Sequence, residues 1–286
     1  VAFVLCAFAS VASARTIYVP DDYAKIQWAV DHASAGDIII VRDGTYYENL
    51  KVDKQLTIKS ENGSDNCIID GGGSGDVITL NADGITIEGF TVRNSGSYAG
   101  IKVFSNANKI AYDCITNNYY GIYLDHSSDN TIYNNNVNSN NDIGIYLYYS
   151  SNSNIYNNNA SNNGDGILLH YSSNNIIANN NASSNYGDGI HLKYSSNNTI
   201  ANNNISNNDD GINLWYSSSN TITNNTASNN GDGIYLVYSS NIIHLNNFIN
   251  NTCQVYSYDS KNIWNSTEKI TYTYNGSQHT NYLGNY

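Results

Sequence analysis

Five aspartates recur just ahead of a repeated glycine: Asp142, Asp165, Asp188, Asp210 and Asp232, with Asp209 beside Asp210. Side chains brought into one column on successive strands stand about 5 Å apart. Adjacent unit charges at that distance repel by roughly 1 kcal/mol in water and by roughly 3–4 kcal/mol at an effective dielectric of 20. Such a row relieves itself in one of two ways. It takes up a cation, and Ca²⁺ is the hard-oxygen candidate for Asp165, Asp188, Asp210 and Asp232. Otherwise it shares protons at raised pKa values. Paired acids also cleave glycosidic bonds, and inverting hydrolysis wants its two carboxyls ~6.5–9.5 Å apart. On a catalytic reading, Asp188, Asp209 and Asp210 are the acids. The plainer alternative is that Asp-Gly is good turn chemistry.

A second constellation lies on alternating positions after that glycine. One column reads Tyr123, Tyr146, Leu168, His191, Asn213, Tyr235, and the next reads Asp125, Tyr148, His170, Lys193, Trp215, Val237. Ring faces stack on the apolar faces of sugars while hydroxyls hydrogen-bond. Tyr123, Tyr146, Tyr148, His170, His191, Trp215 and Tyr235 are therefore candidate glycan-binding residues. A third column, His126, Tyr149, Tyr171, Tyr194, Tyr216, Tyr238, reads as an aromatic ladder that stiffens a sheet.

What positions these columns is a repeat of 22–23 residues. GIYLDHSSDNTIYNNN, GIYLYYSSNSNIYNNN, GILLHYSSNNIIANNN, GIHLKYSSNNTIANNN, GINLWYSSSNTITNNT and GIYLVYSSNIIHLNNF open at Gly121, Gly144, Gly166, Gly189, Gly211 and Gly233. A period this short, with alternation inside each copy, means a solenoid of stacked coils. Ile122/Leu124 and their equivalents point inward, as do Ile132, Ile155, Ile177, Ile200, Ile222 and Ile243. A third inward column is Val137, Ala160, Ala182, Ile205, Ala227, Ile249. Three inward faces per turn predict an all-β, three-sided parallel β-helix of roughly ten coils. Asn135, Asn158, Asn180, Asn203, Asn225 and Asn247 form a corner column whose amides can hydrogen-bond along the axis, and Asn tolerates the left-handed backbone of a sharp corner.

The flanks differ. Residues 15–36 precede the coils: Asp22 is the expected N-cap, Ile26, Ala29, Val30 and Ala33 give a helical apolar face, and Gly36 ends the helix. That helix caps the first coil. Residues 37–267 form the β-helix. Residues 268–286 alternate around Asn275-Gly276, which predicts a β-hairpin with a type I′ turn. Where such a hairpin fails to cover the last coil, open coil ends can self-associate into fibres.

Composition narrows the partners. The net charge is −12, and nine of the 12 basic residues lie at or before Lys109. Nucleic acid is excluded as a partner because phosphate binding needs clustered Lys and Arg. VAFVLCAFASVASA at residues 1–14 reads as the end of a secretory signal peptide, which places the chain outside the cytoplasm, secreted or at the cell surface. No other segment is apolar enough to span a membrane. Cys67, Cys114 and Cys253 remain after the leader, at most one bridge and a spare thiol. Nine N-x-S/T sequons occur, and those inside packed ladders cannot carry a glycan.

IQWAVDHASAGDIIIVRDGTYYENLKVDKQLTIKSE, CIIDGGG and the GIxLxxSSNNTIxNN copies resemble the NosD-type branch of the pectin-lyase-like right-handed β-helix superfamily. The closing NSTEKITYTYNGSQHTNYLGNY resembles the C-terminal segment of archaeal, methanogen surface proteins of that branch, in which further residues follow GNY. The resemblance implies a right-handed β-helix, an extracellular place and a chain that is part of a longer protein. It also brings several activities into view. Hydrolases of the superfamily add His and Arg or Lys to their acids, and lyases use Arg or Lys as base beside Ca²⁺; here His191 and Lys193 sit just after Asp188, no arginine lies beyond Arg93, and Lys193 is the lone candidate base. The NosD label suggests copper, yet the chain has no Met and six scattered His, of which only His170 and His191 sit on neighbouring coils. Together these readings favour a non-catalytic structural or interaction module facing glycans or other cell-surface components. A polysaccharide lyase or hydrolase and a self-assembling surface subunit are the alternatives.

Overall fold

The computed structural model describes residues 13–286; the expected leader at residues 1–14 lies outside the described residues as far as residue 12. Three parallel sheets of eleven, ten and ten strands wrap one apolar core, and a two-stranded antiparallel hairpin follows them. This is the three-sided solenoid that the repeat predicts. Register sets like on like. Leu124 pairs with Leu147, Ile132 with Ile155 and Val137 with Ala160, one from each sheet. The sheet that contains Tyr120–Asp125 and ends at Cys253–Tyr258 is called the front sheet below.

The inward residues of the first and second strands of every copy are fully buried, each contributing roughly 1.5–3 kcal/mol. The third column holds as far as Ala227. There the pairing is Ala227 with Phe248, which is 7% exposed, while Ile249 is 45% exposed. Ile249 is thus replaced in the core by Phe248, and the corner Asn of that coil is Asn246 rather than Asn247. The cause is a coil shortened to 21 residues between Asn225 and Asn246, which moves every later position by one.

The repeated glycine answers to crowding between coils. A Cβ on Gly211 would stand 2.6 Å from the Gly233 carbonyl oxygen and 2.9 Å from Asn230 Nδ2. Those amides belong to ladders that run the length of the repeats. The backbone N–H of Asn158 donates to Asn180 Oδ1 at 2.9 Å, and its Nδ2 donates to the same oxygen at 3.1 Å and to the Ile132 carbonyl at 2.9 Å. The sequence shows one such column. Among the described residues three such buried columns run along the axis, at Asn135–Asn158–Asn180, Asn140–Asn163–Asn185 and Asn175–Asn198–Asn220, plus a serine column through Ser172 and Ser195. The left-handed residue at each corner is the one before the ladder member, such as Asn134, Asn157 and Asn179, and not the ladder Asn itself.

At the N-terminal end, Thr16–Val19 already pairs with Ile38–Val41. The helix, Ile26–His32, is therefore inserted between the first two strands of a sheet, and residues 15–36 contribute a rung as well as a cap. Its buried face is Ile26, Ala29 and Val30, as expected. Asp22 does not cap it, because the turn at Pro20 intervenes and Asp22 Oδ2 accepts from Tyr18 N–H. Glu48 caps it instead, accepting from Ile26 and Gln27 N–H at 2.9 Å each. At the other end the hairpin, Ile270–Tyr274 with Ser277–Asn281, pairs only with itself around Asn275 and Gly276, both at positive φ. The tail beyond it supplies the last rung: Asn285 Oδ1 accepts from Asn246 Nδ2 at 2.9 Å and Tyr286 O accepts from Phe248 N–H at 2.8 Å. Cys253–Tyr258 remains an exposed edge strand. No helix among the described residues is long and apolar enough to cross a membrane.

Asp113 occupies the first position of the Asn135 ladder and is 1% exposed. Its Oδ1 accepts from Phe90 N–H at 2.7 Å, but its Oδ2, where the other rungs place a donating Nδ2, is buried without a partner. Burial pushes this carboxyl up to about 8, so the acid keeps its proton. An unfolded Asp ionises near 3.9. The group's stabilising contribution is thus full below about pH 4 and is lost as pH rises through about 8. Asp113→Asn restores the donor; it is expected to raise the melting temperature near pH 8 and to flatten the pH dependence of stability between about 4 and 8. A variant that melts lower than the parent near pH 8 would refute the assignment.

Candidate functional site

Four of the five aspartates share a column on one border of the front sheet. Asp210 is in register with Asp232, and Asp188 follows Asp165 one coil on, its carbonyl accepting from Gly166 N–H at 2.9 Å. Asp142 falls out of the column. It lies two residues ahead of Gly144, so Ile143 fills the rung opposite Asp165. Cys253 takes the rung after Asp232. Asp209 is exposed beside the column. Neighbouring rungs put carboxyls about 4.8 Å apart, near the ~5–5.5 Å of retaining glycosidases, and alternate rungs about 9.6 Å apart, at the far limit of the inverting range.

Three residues along each strand, the outward column supplies partners for this row. His191 Nδ1 is 3.0 Å from Asp188 Oδ2 and 3.8 Å from Asp165 Oδ2. Asp165 Oδ1 accepts from Asp188 N–H at 2.8 Å. On the next coil Asn213 Nδ2 donates to Asp210 Oδ2 at 3.1 Å, while Asn213 Oδ1 is buried and unpartnered. Asp188 is only 9% exposed. Burial pushes its carboxyl above the usual range against the opposing pull of His191. Burial, then the charges of Asp188, Asp232 and Asp209, lift Asp210 to about 7. Burial draws the His191 imidazole down, but hydrogen bonds and charge from Asp165 and Asp188 prevail and hold it at about 9. The row therefore relieves its repulsion with shared protons and with one imidazolium set inside it. Sequence spacing alone put His191 on an open sugar-facing column; the structure turns it toward the acids.

The remaining candidates lie on the outward face of the same sheet. Tyr123 and Tyr146 stack at 4.7 Å between ring centroids, and the Lys102 ammonium sits 3.1 Å from the Tyr123 centroid while bonding Asp125 at 2.8 Å. Both faces of Tyr123 are thereby covered. Lys102, buried in spite of its charge, is the residue that the sequence reading overlooked; its signal was its alignment with Tyr123 one coil later. Tyr148 packs its ring at 5.5 Å from His170, whose imidazole is held below its usual range by burial and by Lys193. Lys193 lies 4.7 Å from the Trp215 ring, and Tyr235 stacks on Tyr256 at 4.6 Å. The third column is a face-stacked ladder, with Tyr171 and Tyr194 at 5.1 Å and 7°. Its ring faces are spent on one another, which offsets the left-handed backbone each of these tyrosines adopts.

The family model described as Periplasmic copper-binding protein (NosD) matches residues 135–286, a little over half of the chain. The chain belongs to the NosD family. A second model, the right handed beta helix region, matches residues 56–186 and gives the solenoid its hand. Over 87 residues the NosD-family chain is 41% identical to a cell surface glycoprotein of Methanothermus fervidus, covering 29% of this chain and 14% of that relative. The chain thus spans a small part of the curated relative's length. XylC, solved in complex with xylose, superposes with a TM-score of 0.70 at 12% identity, covering 95% of this chain and 73% of that one. The mannuronan C-5 epimerase AlgE4 A-module of Azotobacter vinelandii gives 0.60 at 16% identity, covering 85% and 93%. At such identities the likeness is one of fold.

The family's description names copper, and the donors here do not fit its soft Cu(I) form. Soft thiolate and thioether ligands select Cu(I). The chain has no Met, and Cys67, Cys114 and Cys253 are free cysteines on separate rungs. Among the described residues the one group of three potential ligands is Asp165, Asp188 and His191, two carboxylate oxygens and one imidazole nitrogen within 4.8 Å. His170 is aligned with Lys193 in the other outward column and does not join them.

The His191 assignment has a direct test. Imidazole resonances followed by NMR should titrate near 9 in the parent chain and move down toward the ordinary value in Asp188→Asn. Titration of the parent near 6.5, the free-imidazole value, would show that His191 is not held by the acids.

Proposed function

We propose that this chain is an extracytoplasmic, cell-surface β-helix module with a non-catalytic structural or interaction role, contacting glycans through the outer face of its front sheet. One observation carries the reading, the layout of that face. Tyr146, Tyr148 and His170 stand toward one end of that face and Trp215 and Tyr235 toward the other, with His191 and Lys193 on the rung between and Asp165, Asp188 and Asp210 along its border. From the Tyr123 rung to the Tyr235 rung, five spacings of about 4.8 Å give a strip of roughly 24 Å. Ring faces take the apolar faces of sugars, while the carboxyls, His191 and Lys193 take hydroxyls. The match to a cell surface glycoprotein and the fold shared with proteins of sugar chemistry support this place and partner. A net charge of −12 favours neutral glycans. Acidic ones then require a bridging cation, and Ca²⁺ on the Asp165, Asp188, Asp210, Asp232 row supplies it by displacing the shared protons and the charge on His191.

A lyase or hydrolase is the second reading, favoured by Asp210 standing near 7 beside Asp188. An acid half-protonated at neutral pH next to an ionisable neighbour is the arrangement of a general acid–base pair, and Lys193 is the nearby base a lyase needs.

One panel separates these readings. Neutral and acidic polysaccharides are incubated with the chain, with and without Ca²⁺, and co-sedimentation, reducing ends and unsaturated-product absorbance are read from the same samples. The expected result is binding of neutral glycans without product, and of acidic glycans only with Ca²⁺. Tyr148→Ala and Trp215→Ala should each weaken neutral binding about tenfold, about 1.4 kcal/mol. Product that disappears in Asp210→Asn would make the chain an enzyme. Absence of both binding and product would remove both readings.

A further inference from the structure

Nine sequons are scattered through the chain, and the fold sorts the regular-coil ones into two classes. Asn197, Asn224 and Asn250 each begin an Asn-Asn-Thr triplet at a corner. They stand at φ 58°, 56° and 55°, are exposed, and among the described residues their side-chain amides bond nothing. The asparagine that follows each is the buried ladder member: Asn198, Asn225 and Asn251. The ladder thus fixes the corner from inside while the preceding amide projects outward, with Thr199, Thr226 or Thr252 two residues on. The three lie at three different corners. Asn197 follows the front-sheet strand Ile190–Lys193, Asn224 follows Thr221–Thr223 and Asn250 follows Asn247–Ile249.

Asn159, Asn181 and Asn204 are the opposite case. Their amide nitrogens are the donors of an outward ladder: Asn159 to Asn136 at 2.8 Å, Asn181 to Asn159 at 2.7 Å and Asn204 to Asn181 at 3.1 Å. Asn181 Nδ2 also donates to Ser183 Oγ at 3.0 Å, the hydroxyl of its own sequon. A sugar on that nitrogen removes one N–H and must be placed between rungs only about 4.8 Å apart.

We infer that Asn197, Asn224 and Asn250 are N-glycosylation sites and that Asn159, Asn181 and Asn204 are not. The inference rests on the extracytoplasmic placement proposed above. In the transfer, the Asn amide nitrogen bonds the anomeric carbon of a sugar carried on a lipid phosphate. The carbon–oxygen bond to that phosphate breaks, the lipid phosphate leaves with the electron pair, and the amide gives up one proton. Glycans at these positions radiate from the three edges of the solenoid and leave the outer face of the front sheet open.

The test secretes the full chain from a host with an oligosaccharyltransferase and maps glycopeptides by mass spectrometry. Secretion from that host imposes the compartment, so failure here is distinguishable from a wrong native placement, which fractionation of the source cells decides separately. Occupancy at the corner trio is expected to exceed that at the ladder trio by at least about tenfold. Comparable occupancy at Asn159, Asn181 or Asn204, or bare corners, overturns the inference. Thr199→Ala, Thr226→Ala and Thr252→Ala combined should remove the corner glycans from a protein that still folds by circular dichroism; glycan retained on those asparagines overturns it equally.

Discussion

The buried side-chain amide is the interaction on which the rest of this molecule depends. An interior ladder asparagine such as Asn158 donates to the rung on either side and accepts from one of them, so neither its own polar atoms nor the corner backbone is left unpaired, whereas Asn262 Nδ2, at the end of its column, is buried without a partner. A buried donor or acceptor without a partner costs about 1–3 kcal/mol, and a corner with none would be untenable at every turn. With three such columns the chain folds with few charges and an interior of small apolar layers. The same sequence without the ladders has the polarity of a disordered segment. Asp113 marks the rule by breaking it, since a carboxylate there cannot donate and has to stay protonated.

The ladders also decide what the surface can do. They hold successive rungs in exact like-on-like register, so an outward residue meets the equivalent residue of the next coil. Where the copies agree, as in the tyrosines from Tyr149 to Tyr238, the side chains satisfy one another and present only edges. Where the copies differ, chemistry becomes possible. The column Leu168, His191, Asn213, Tyr235 is such a place. Its His191 and Asn213 face a row that the ladder spacing has already loaded with repulsion, and the raised carboxyls follow first from burial and then from that spacing.

Most of this was legible in the residues. The inward Ile and Leu positions, the three sheets, the helix face of Ile26, Ala29 and Val30 and the Asn275-Gly276 turn all follow from local pattern. The departures share a cause, namely that they depend on counting or on distant partners. One residue lost between Asn225 and Asn246 exchanged Phe248 for Ile249 and Asn246 for Asn247. Ile143, and not an aspartate, directly precedes Gly144, which leaves Asp142 out of the acidic column, although the coil that keeps Asp188 in it is just as long there. Glu48 caps a helix that begins 22 residues earlier, and no local motif announces it. Within the site the row of acids was visible as spacing, but the turn of His191 toward them was not, because alternation assigns a side and says nothing of rotamer.

The closing of each ladder on its neighbours alone has an evolutionary reading. Every rung touches only the one before and the one after, so a whole rung can be duplicated or excised and the two new neighbours find the same amides, the same glycine and the same apolar layer waiting. Change in whole-coil steps is close to neutral, whereas a shift of one residue within a strand would turn a side of the core outward. The 21-residue coil ending at Asn246 shows where a single deletion is absorbed, at a corner between strands. Length in this chain is therefore quantised, and gene duplication can lengthen or shorten the rod, and add or remove copies of its outward columns, without redesigning the fold.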